Sequence, residues 1–118
     1  MSIIFSIAAG LLLACAALSA GAAFAADGVL EPPSSARRAE LVTLVRQDCG
    51  SCHGLTLKGG LGPALLPDAL KSKSANSLKA TILYGRTGTA MPPWQRFLTE
   101  SEVVWIVANL QGGFPDGH

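Results

Sequence analysis

Apolar positions along this chain fall into distinct regimes. From Ile3 to Ala26 they are almost continuous, and polarity begins abruptly at Asp27. From about Ala36 to Cys52 they recur at helical spacing, with Leu41, Leu44, Val45, Cys49 and Cys52 on one face and Ser34-Ser35 placed to cap the start. The stretch TESEVVWIVANLQGG predicts the clearest helix: Thr99 and Glu102 form a capping box, Val103, Ile106, Val107 and Leu110 form the stripe, and Gly112 or Gly113 ends it. Between these segments, NSLKATILYG reads as a short helix capped by Asn76 or Ser77. Residues 54 to 76, rich in Gly, Pro, Ser and Lys, read as a long loop, unusual in a small domain unless it wraps something. The segment RTGTAMPPWQRF is irregular, because Gly88, Pro92 and Pro93 exclude a continuous helix. No internal repeat is visible and nothing alternates with the period of a strand. The fold class is all-α.

The first apolar run ends in GAAFAADG, where Ala23 and Ala25 make a small-x-small cleavage site. Residues 1–25 are therefore read as a secretory signal peptide, although Met1-Ser2 carries no Lys or Arg ahead of the apolar run. Two rivals stand beside this reading. The run is long enough to serve as an uncleaved membrane anchor. The sequence LLAC ending at Cys15 loosely resembles a lipoprotein site, but the long apolar stretch after it argues against lipidation. All three place the rest of the chain outside the cytoplasmic membrane, in the periplasm, with membrane association only if the segment is retained or lipidated. Cleavage after Ala25 leaves 93 residues, a single domain. The expected divisions are a Pro/Ser linker at 26–35, a folded domain at 36–113 and a tail at 114–118. So short a chain buries little apolar surface and commonly leans on a disulfide, metal or cofactor.

Charge narrows the partners. The net charge is +1, which suggests no nucleic acid. Its distribution is uneven: Lys58 to Arg96 holds six basic residues and one acid, a local +5. A surface of that kind would steer the protein toward an acidic patch on a partner. Lys71, Lys73 and Lys79 are its candidate residues, with a merely solvated surface as the plain alternative.

Candidate chemistry is concentrated in DCGSCHGLTLKGG, residues 48–60, where two cysteines three apart are followed directly by a histidine. Structural zinc needs four ligands, yet after the signal segment only Cys49, Cys52, His53 and the terminal His118 are available as Cys or His. Adjacent Cys52 and His53 would also be poor partners on one tetrahedral ion. A redox dithiol expects a thioredoxin-like βαβ context, which is missing. A plain disulfide leaves His53 without a role. Covalent haem attachment uses all three residues. On a helix Cys49 and Cys52 face the same way for two thioether bonds, and His53 projects from that face as the proximal iron ligand. The spacing C-x-x-C-H is itself the c-type attachment signature.

The sixth position decides between electron transfer and ligand chemistry. Met91 is the only methionine beyond Met1. It sits in GTAMPP, downstream by enough chain to wrap a haem and return on its far side, and Pro92 and Pro93 stiffen that return. A thioether opposite imidazole favours the ferrous state. The plain alternative is Met91 filling a core gap beside a five-coordinate haem. Trp94 and Phe97 read as packing residues. Tyr84 and Arg86 are placed either to reach haem propionates or to stand in solvent, and His118 reads as a free tail residue.

With both sites placed, the chain resembles a class I monohaem cytochrome c. The matching pieces are the helix running into CGSCH, then GPAL, AMPP and the closing helix with Trp105. The resemblance implies a few helices wrapped around one covalently bound haem c. It also implies a Pro63 carbonyl that accepts a hydrogen bond from His53, and first and last helices that cross with Trp105 near the contact. RQDCGSCHGLTLKGGLGPALLPDAL, taken with ATILYGRTGTAMPPW and WIVANL, is similar to the small periplasmic cytochromes c encoded beside haem-d1 nitrite reductases, the NirC type. That implies electron exchange with the reductase, or a part in completing its haem d1. The function expected is therefore a monomeric one-electron carrier and not an enzyme. The alternative is a haem enzyme or gas and peroxide sensor with an open sixth position. Against it, the chain has no histidine beyond His53 and His118 to act as a distal acid or base.

Overall fold

The computed structural model describes residues 30–116. The signal segment with Cys15, the first linker residues and His118 lie outside the described residues. Ser34 starts the first helix, its hydroxyl accepting the Arg37 N–H at 3.2 Å, and α1 spans Ser35–Leu44. The helix does not then run on unchanged to Cys52. Val45–Cys49 forms one π-helical turn, in which the Gly50 N–H reaches back to the Val45 carbonyl. Then α2, Gly50–His53, resumes the α form. A π turn takes in one more residue than an α turn, so everything after it is rotated relative to a continuous helix. The stripe read from the sequence divides accordingly. Leu41 and Val45 are fully buried, while Cys49 and Cys52 are only partly so.

The loop expected at 54–76 contains a single helical turn, α3, Pro67–Leu70. Pro67 opens it at a position where proline's fixed φ suits the helix and its missing N–H costs nothing. The next helix, α4, spans Ala75–Tyr84 and starts earlier than predicted. Its cap is Ser74 instead of Asn76 or Ser77, with the Ser74 hydroxyl accepting the Ser77 N–H at 3.1 Å. The last helix, α5, spans Glu100–Gly112 and forms both arms of its capping box. The Glu102 N–H donates to the Thr99 hydroxyl at 3.3 Å, and the Thr99 N–H donates to Glu102 Oε2 at 2.8 Å. Among the described residues the regular elements are all helical.

The stripe of α5 forms the centre of the core. Val103, Ile106, Val107 and Leu110 are buried and join Leu41, Val45, Leu57, Leu70, Leu83 and Leu98 in one cluster. Burying a side chain of this size stabilises by about 1.5–3 kcal/mol, so α5 is where the short helices gain most of their support. Both α3 and α4 pack on it. It meets α1 through Leu41 and the π turn through Val45 in the shared core, and α1 again through Arg37, whose Nε donates to Glu102 Oε1 at 2.6 Å. That pairing, with help from Thr99, holds the Glu102 carboxyl below its ordinary range.

Trp105 stands edge to face with Phe114 at 6.2 Å, and the Arg46 guanidinium of the π turn lies over the Phe114 ring at 5.7 Å. Arg46 also donates to the Phe114 and Pro115 carbonyls and pairs with Asp116. Residues 114–116, read from the sequence as tail, thus lie against the domain. At the other end Pro33 is buried and its carbonyl accepts from Arg38 Nε at 2.8 Å, so the linker's last residues are docked as well.

Candidate haem site

The end of α2 is held by the loop that follows it. The carbonyls of Cys52 and His53 have no helical partners, and they accept the N–H groups of Gly62 and Gly59, each at 2.8 Å. These bonds fold residues 54–62 back along the CGSCH turn and bring Pro63 beside the imidazole. His53 Nδ1 lies 2.7 Å from the Pro63 carbonyl oxygen. A carbonyl only accepts, so Nδ1 carries the proton and Nε2 keeps its lone pair free. Gly62 lets the loop approach this closely: a Cβ there would fall 2.7 Å from His53 Cε1 and 2.8 Å from Nδ1.

The two cysteines are free thiols on the same stretch of helix, Cys49 closing the π turn and Cys52 in α2. Burial, with the neighbouring Asp48 charge assisting, pushes the Cys49 thiol up to about 11. Redox-active dithiols are activated by a lowered pKa, so this is the wrong electrostatic setting for such a site. Nor do three or more His, Cys, Asp or Glu side chains converge as a metal-binding group among the described residues.

Met91 is held from both sides by its own loop. The Arg86 N–H donates to the Met91 carbonyl at 3.2 Å, and the Met91 N–H donates to the Thr89 hydroxyl at 3.3 Å. That hydroxyl in turn donates to the Arg86 carbonyl at 2.7 Å, closing residues 86–91 into a tight turn. Gly85 ends α4 at φ +70°, and a Cβ there would lie 2.7 Å from the Met91 carbonyl oxygen. Downstream, the Trp94 and Gln95 N–H groups bond the Ile82 and Leu83 carbonyls at 3.0 and 3.2 Å, anchoring the chain beyond the prolines to the end of α4. The sequence suggested the prolines as the source of rigidity. The hydrogen bonds of Thr89, Arg86 and Gly85's neighbours add a second source that proline content alone did not reveal.

The structure brings His53 and Pro63 into direct contact and places Cys49 and Cys52 on adjoining turns. Met91 belongs to a separate loop and shares no hydrogen bond with them. Two surface clefts, about 300 and 670 Å³, lie elsewhere, against Arg46, Thr56 and Asp116, and neither is bordered by His53 or Met91. Of the basic residues singled out in the sequence, Lys79 is paired with Glu100 at 2.6 Å and Lys71 lies 3.9 Å from Asp68.

This donor set fits a covalently attached haem. It offers two thiols on one helical stretch, an imidazole fixed in the tautomer that leaves Nε2 free, and a thioether on a braced loop. Leu61, 81% exposed on the loop that brings Gly62 against His53, supplies apolar surface that a macrocycle would cover.

Comparison with known proteins points the same way. Residues 36–110 match the family described as cytochrome c oxidase, cbb3-type, subunit III. Cytochrome c55X of Pseudomonas aeruginosa is 54% identical over 83 residues, which cover 70% of this chain and 70% of that protein. The solved structure of a c-type cytochrome NirC superposes with a TM-score of 0.68 at 52% identity, covering 70% of this chain and 96% of that one. A dihydro-heme d1 dehydrogenase of Pseudomonas aeruginosa is 37% identical over 67 residues, 57% of this chain and 14% of that protein.

Proposed function

The chain belongs to the c-type cytochromes, in the family whose description matches residues 36–110, and from that membership we propose that it is a periplasmic one-electron carrier serving haem-d1 nitrite reductase or the completion of haem d1. Cys49 and Cys52 would hold haem c, which when bound would supply one-electron redox chemistry. Every other task falls to the chain. His53 would hold the haem iron through Nε2, the ring nitrogen that the Pro63 contact leaves free. The Pro63 carbonyl orients its ring and raises its donor strength, as a partner on the second ring nitrogen does at metal sites generally. Met91 would supply the second protein ligand to the haem iron, its backbone held by the Thr89 and Arg86 hydrogen bonds. The observation that carries this reading is the 2.7 Å contact between His53 Nδ1 and the Pro63 carbonyl, which leaves Nε2 as the lone donor of that ring.

The nitrite-reduction context is supported by the likeness to NirC and to part of a dihydro-heme d1 dehydrogenase. Export is supported by the apolar run at residues 1–25, with 26–35 as linker and 36–113 as the functional domain. Among the described residues no helix is long and apolar enough to cross a membrane. A carrier is favoured over an enzyme because the relatives that match most of their own length to this chain are named as cytochromes.

The test is spectroscopic. The ferric holoprotein is expected to show a weak near-infrared methionine-to-iron charge-transfer band, which Met91→Ala abolishes. A wild-type protein that lacks the band and binds carbon monoxide readily would replace the carrier with a ligand-binding haem protein.

A further inference from the structure

The π turn at Val45–Cys49 is not dictated by its own residues. Such turns are rare and often mark functional sites, and the run VRQDC holds neither proline nor glycine to break a regular helix. The helix is fixed on both sides of the turn. Upstream, Leu41 and Val45 are fully buried in the core shared with α5. Downstream, the Cys52 and His53 carbonyls are tied to Gly62 and Gly59. Between these anchors the Gly50 N–H reaches back five residues to the Val45 carbonyl, the bond that defines the wider turn.

Arg46, inside the turn, is gripped by the far end of the chain. Gly113 ends α5 at φ +102°, and the residues after it meet the Arg46 side chain. Arg46 Nε donates to the Pro115 carbonyl at 3.2 Å. Its Nη2 donates to the Phe114 and Pro115 carbonyls at 3.1 and 2.8 Å, and to Asp116 Oδ1 at 3.1 Å. The guanidinium also lies over the Phe114 ring, which stands edge to face with Trp105. Both rings pack against the core cluster, so the grip is anchored to the body of the domain. A planar guanidinium suits this task because one rigid fork can bond several acceptors at once. With its side chain held at four points, Arg46 fixes the middle of the turn relative to α5.

We infer that Arg46 is a positioning residue for the haem: residues 114–116 form a strap that grips it and holds the helix in its π register, and that register sets where Cys49, Cys52 and His53 present the haem to Met91. The inference rests on the haem-carrier reading and adds to it a residue and a segment remote from the ligands. Slackening toward an α turn would rotate the residues beyond it, by about 100° for the complete change. Met91 cannot follow such a movement. It is held in its own loop by Arg86 and Thr89 and shares no hydrogen bond with the helix. The bond at stake is therefore the one from the Met91 thioether to the iron, whereas the links through Cys49 and Cys52, being covalent, would persist.

The test compares the wild-type holoprotein with Arg46→Gln, Arg46→Lys, Phe114→Leu and the control Glu102→Gln, which loosens a different α1–α5 contact. Exchange of the Gly50 amide is followed by NMR in the ferrous state and expressed relative to the amides of α4. Carbon monoxide binding to the ferrous protein and the near-infrared band of the ferric protein report Met91. Arg46→Gln should speed Gly50 exchange relative to α4 by about tenfold, the factor that one hydrogen bond to a charged group is worth. Carbon monoxide binding should rise with it, and the near-infrared band should weaken. Arg46→Lys keeps a charge for Asp116 but no fork for two carbonyls, so it should behave as Arg46→Gln does. Phe114→Leu removes only the ring beneath the guanidinium and should move every readout the same way by a smaller factor. Glu102→Gln should lower the melting temperature and leave the Gly50 ratio and carbon monoxide binding as in wild type. Gly50 exchange that stays in step with α4 in Arg46→Gln would overturn the inference. So would full rescue by lysine, or an equal loss of Met91 ligation in Glu102→Gln, since general loosening would then be the cause. A wild-type protein without the near-infrared band would instead sink the Met91 ligation beneath it, and Gly50 exchange would still decide whether Arg46 holds the turn.

Discussion

Replacing Gly62 by alanine adds one methyl group where the structure has no room for it. The new Cβ would sit 2.7 Å from His53 Cε1 and 2.8 Å from Nδ1. Carbon atoms in contact prefer about 3.5 Å or more, so the ring or the loop must yield by about 0.8 Å. The edge pushed is the one that carries the Nδ1 proton, and its 2.7 Å bond to the Pro63 carbonyl cannot survive that movement unstretched. Overpacking of this kind costs about 1–3 kcal/mol, and loss of one neutral hydrogen bond about 0.5–1.5 kcal/mol. The sum is about 1.5–4.5 kcal/mol. For a domain of this size 1 kcal/mol moves the melting temperature by about 4–8 °C, so Gly62→Ala should lower it by at least about 6 °C. The assay is thermal unfolding of the holoprotein by circular dichroism, with the reduction potential measured alongside. The potential should rise, because a histidine without its carbonyl partner is a weaker donor to ferric iron. Gly112→Ala is the matched control, since a Cβ at that helical position meets nothing within 4 Å. Gly62 has an ordinary negative φ, so the change tests space and not backbone conformation. A Gly62→Ala protein that melts within about 2 °C of wild type, at an unchanged potential, would refute the tight Gly62–His53–Pro63 arrangement.

Other consequences are more local. Thr89→Val removes the hydroxyl that joins the Met91 N–H to the Arg86 carbonyl; the near-infrared band should weaken and carbon monoxide binding should increase, with the melting temperature little changed. Glu102→Gln should destabilise at neutral pH by about 1.5–3 kcal/mol, the usual worth of a hydrogen bond to a charged group, as read by urea unfolding. Because the folded carboxyl titrates below its ordinary 4.5, that contribution is complete above 4.5 and is lost as the pH falls through the lowered value. Wild type and Glu102→Gln should therefore converge in acid, and a gap that stayed constant from pH 7 to pH 3 would contradict the Arg37–Glu102 link.

Much of this protein is legible in its sequence because it depends on local rules. The spacing of Cys49, Cys52 and His53 names an attachment chemistry, since residues three and four apart on a helix present their side chains together. Thr99 and Glu102 announce the start of α5, because a capping box closes within four residues. The stripe Val103, Ile106, Val107 and Leu110 is buried as its period implies. The turn at Pro67 was read as part of a long loop, because the surrounding Gly, Ser and Lys outweighed the local signal of a proline at a first helical position.

What tertiary structure decided lies in contacts between segments distant in the chain. The π turn at Val45–Cys49 changes pitch within an otherwise regular pattern, and periodicity counts residues without seeing how many each turn holds. The docking of Phe114 between Trp105 and Arg46 joins residues as far as 68 apart in sequence. The pairing of Lys79 with Glu100 removes a charge that composition had counted as free. Composition sums charges along the chain, whereas electrostatic steering depends on which of them remain unpaired at one surface. The haem-attachment chemistry could therefore be read from residue identity and spacing. The rigidity of its loops follows from hydrogen bonds and ion pairs that exist only once the chain has closed on itself.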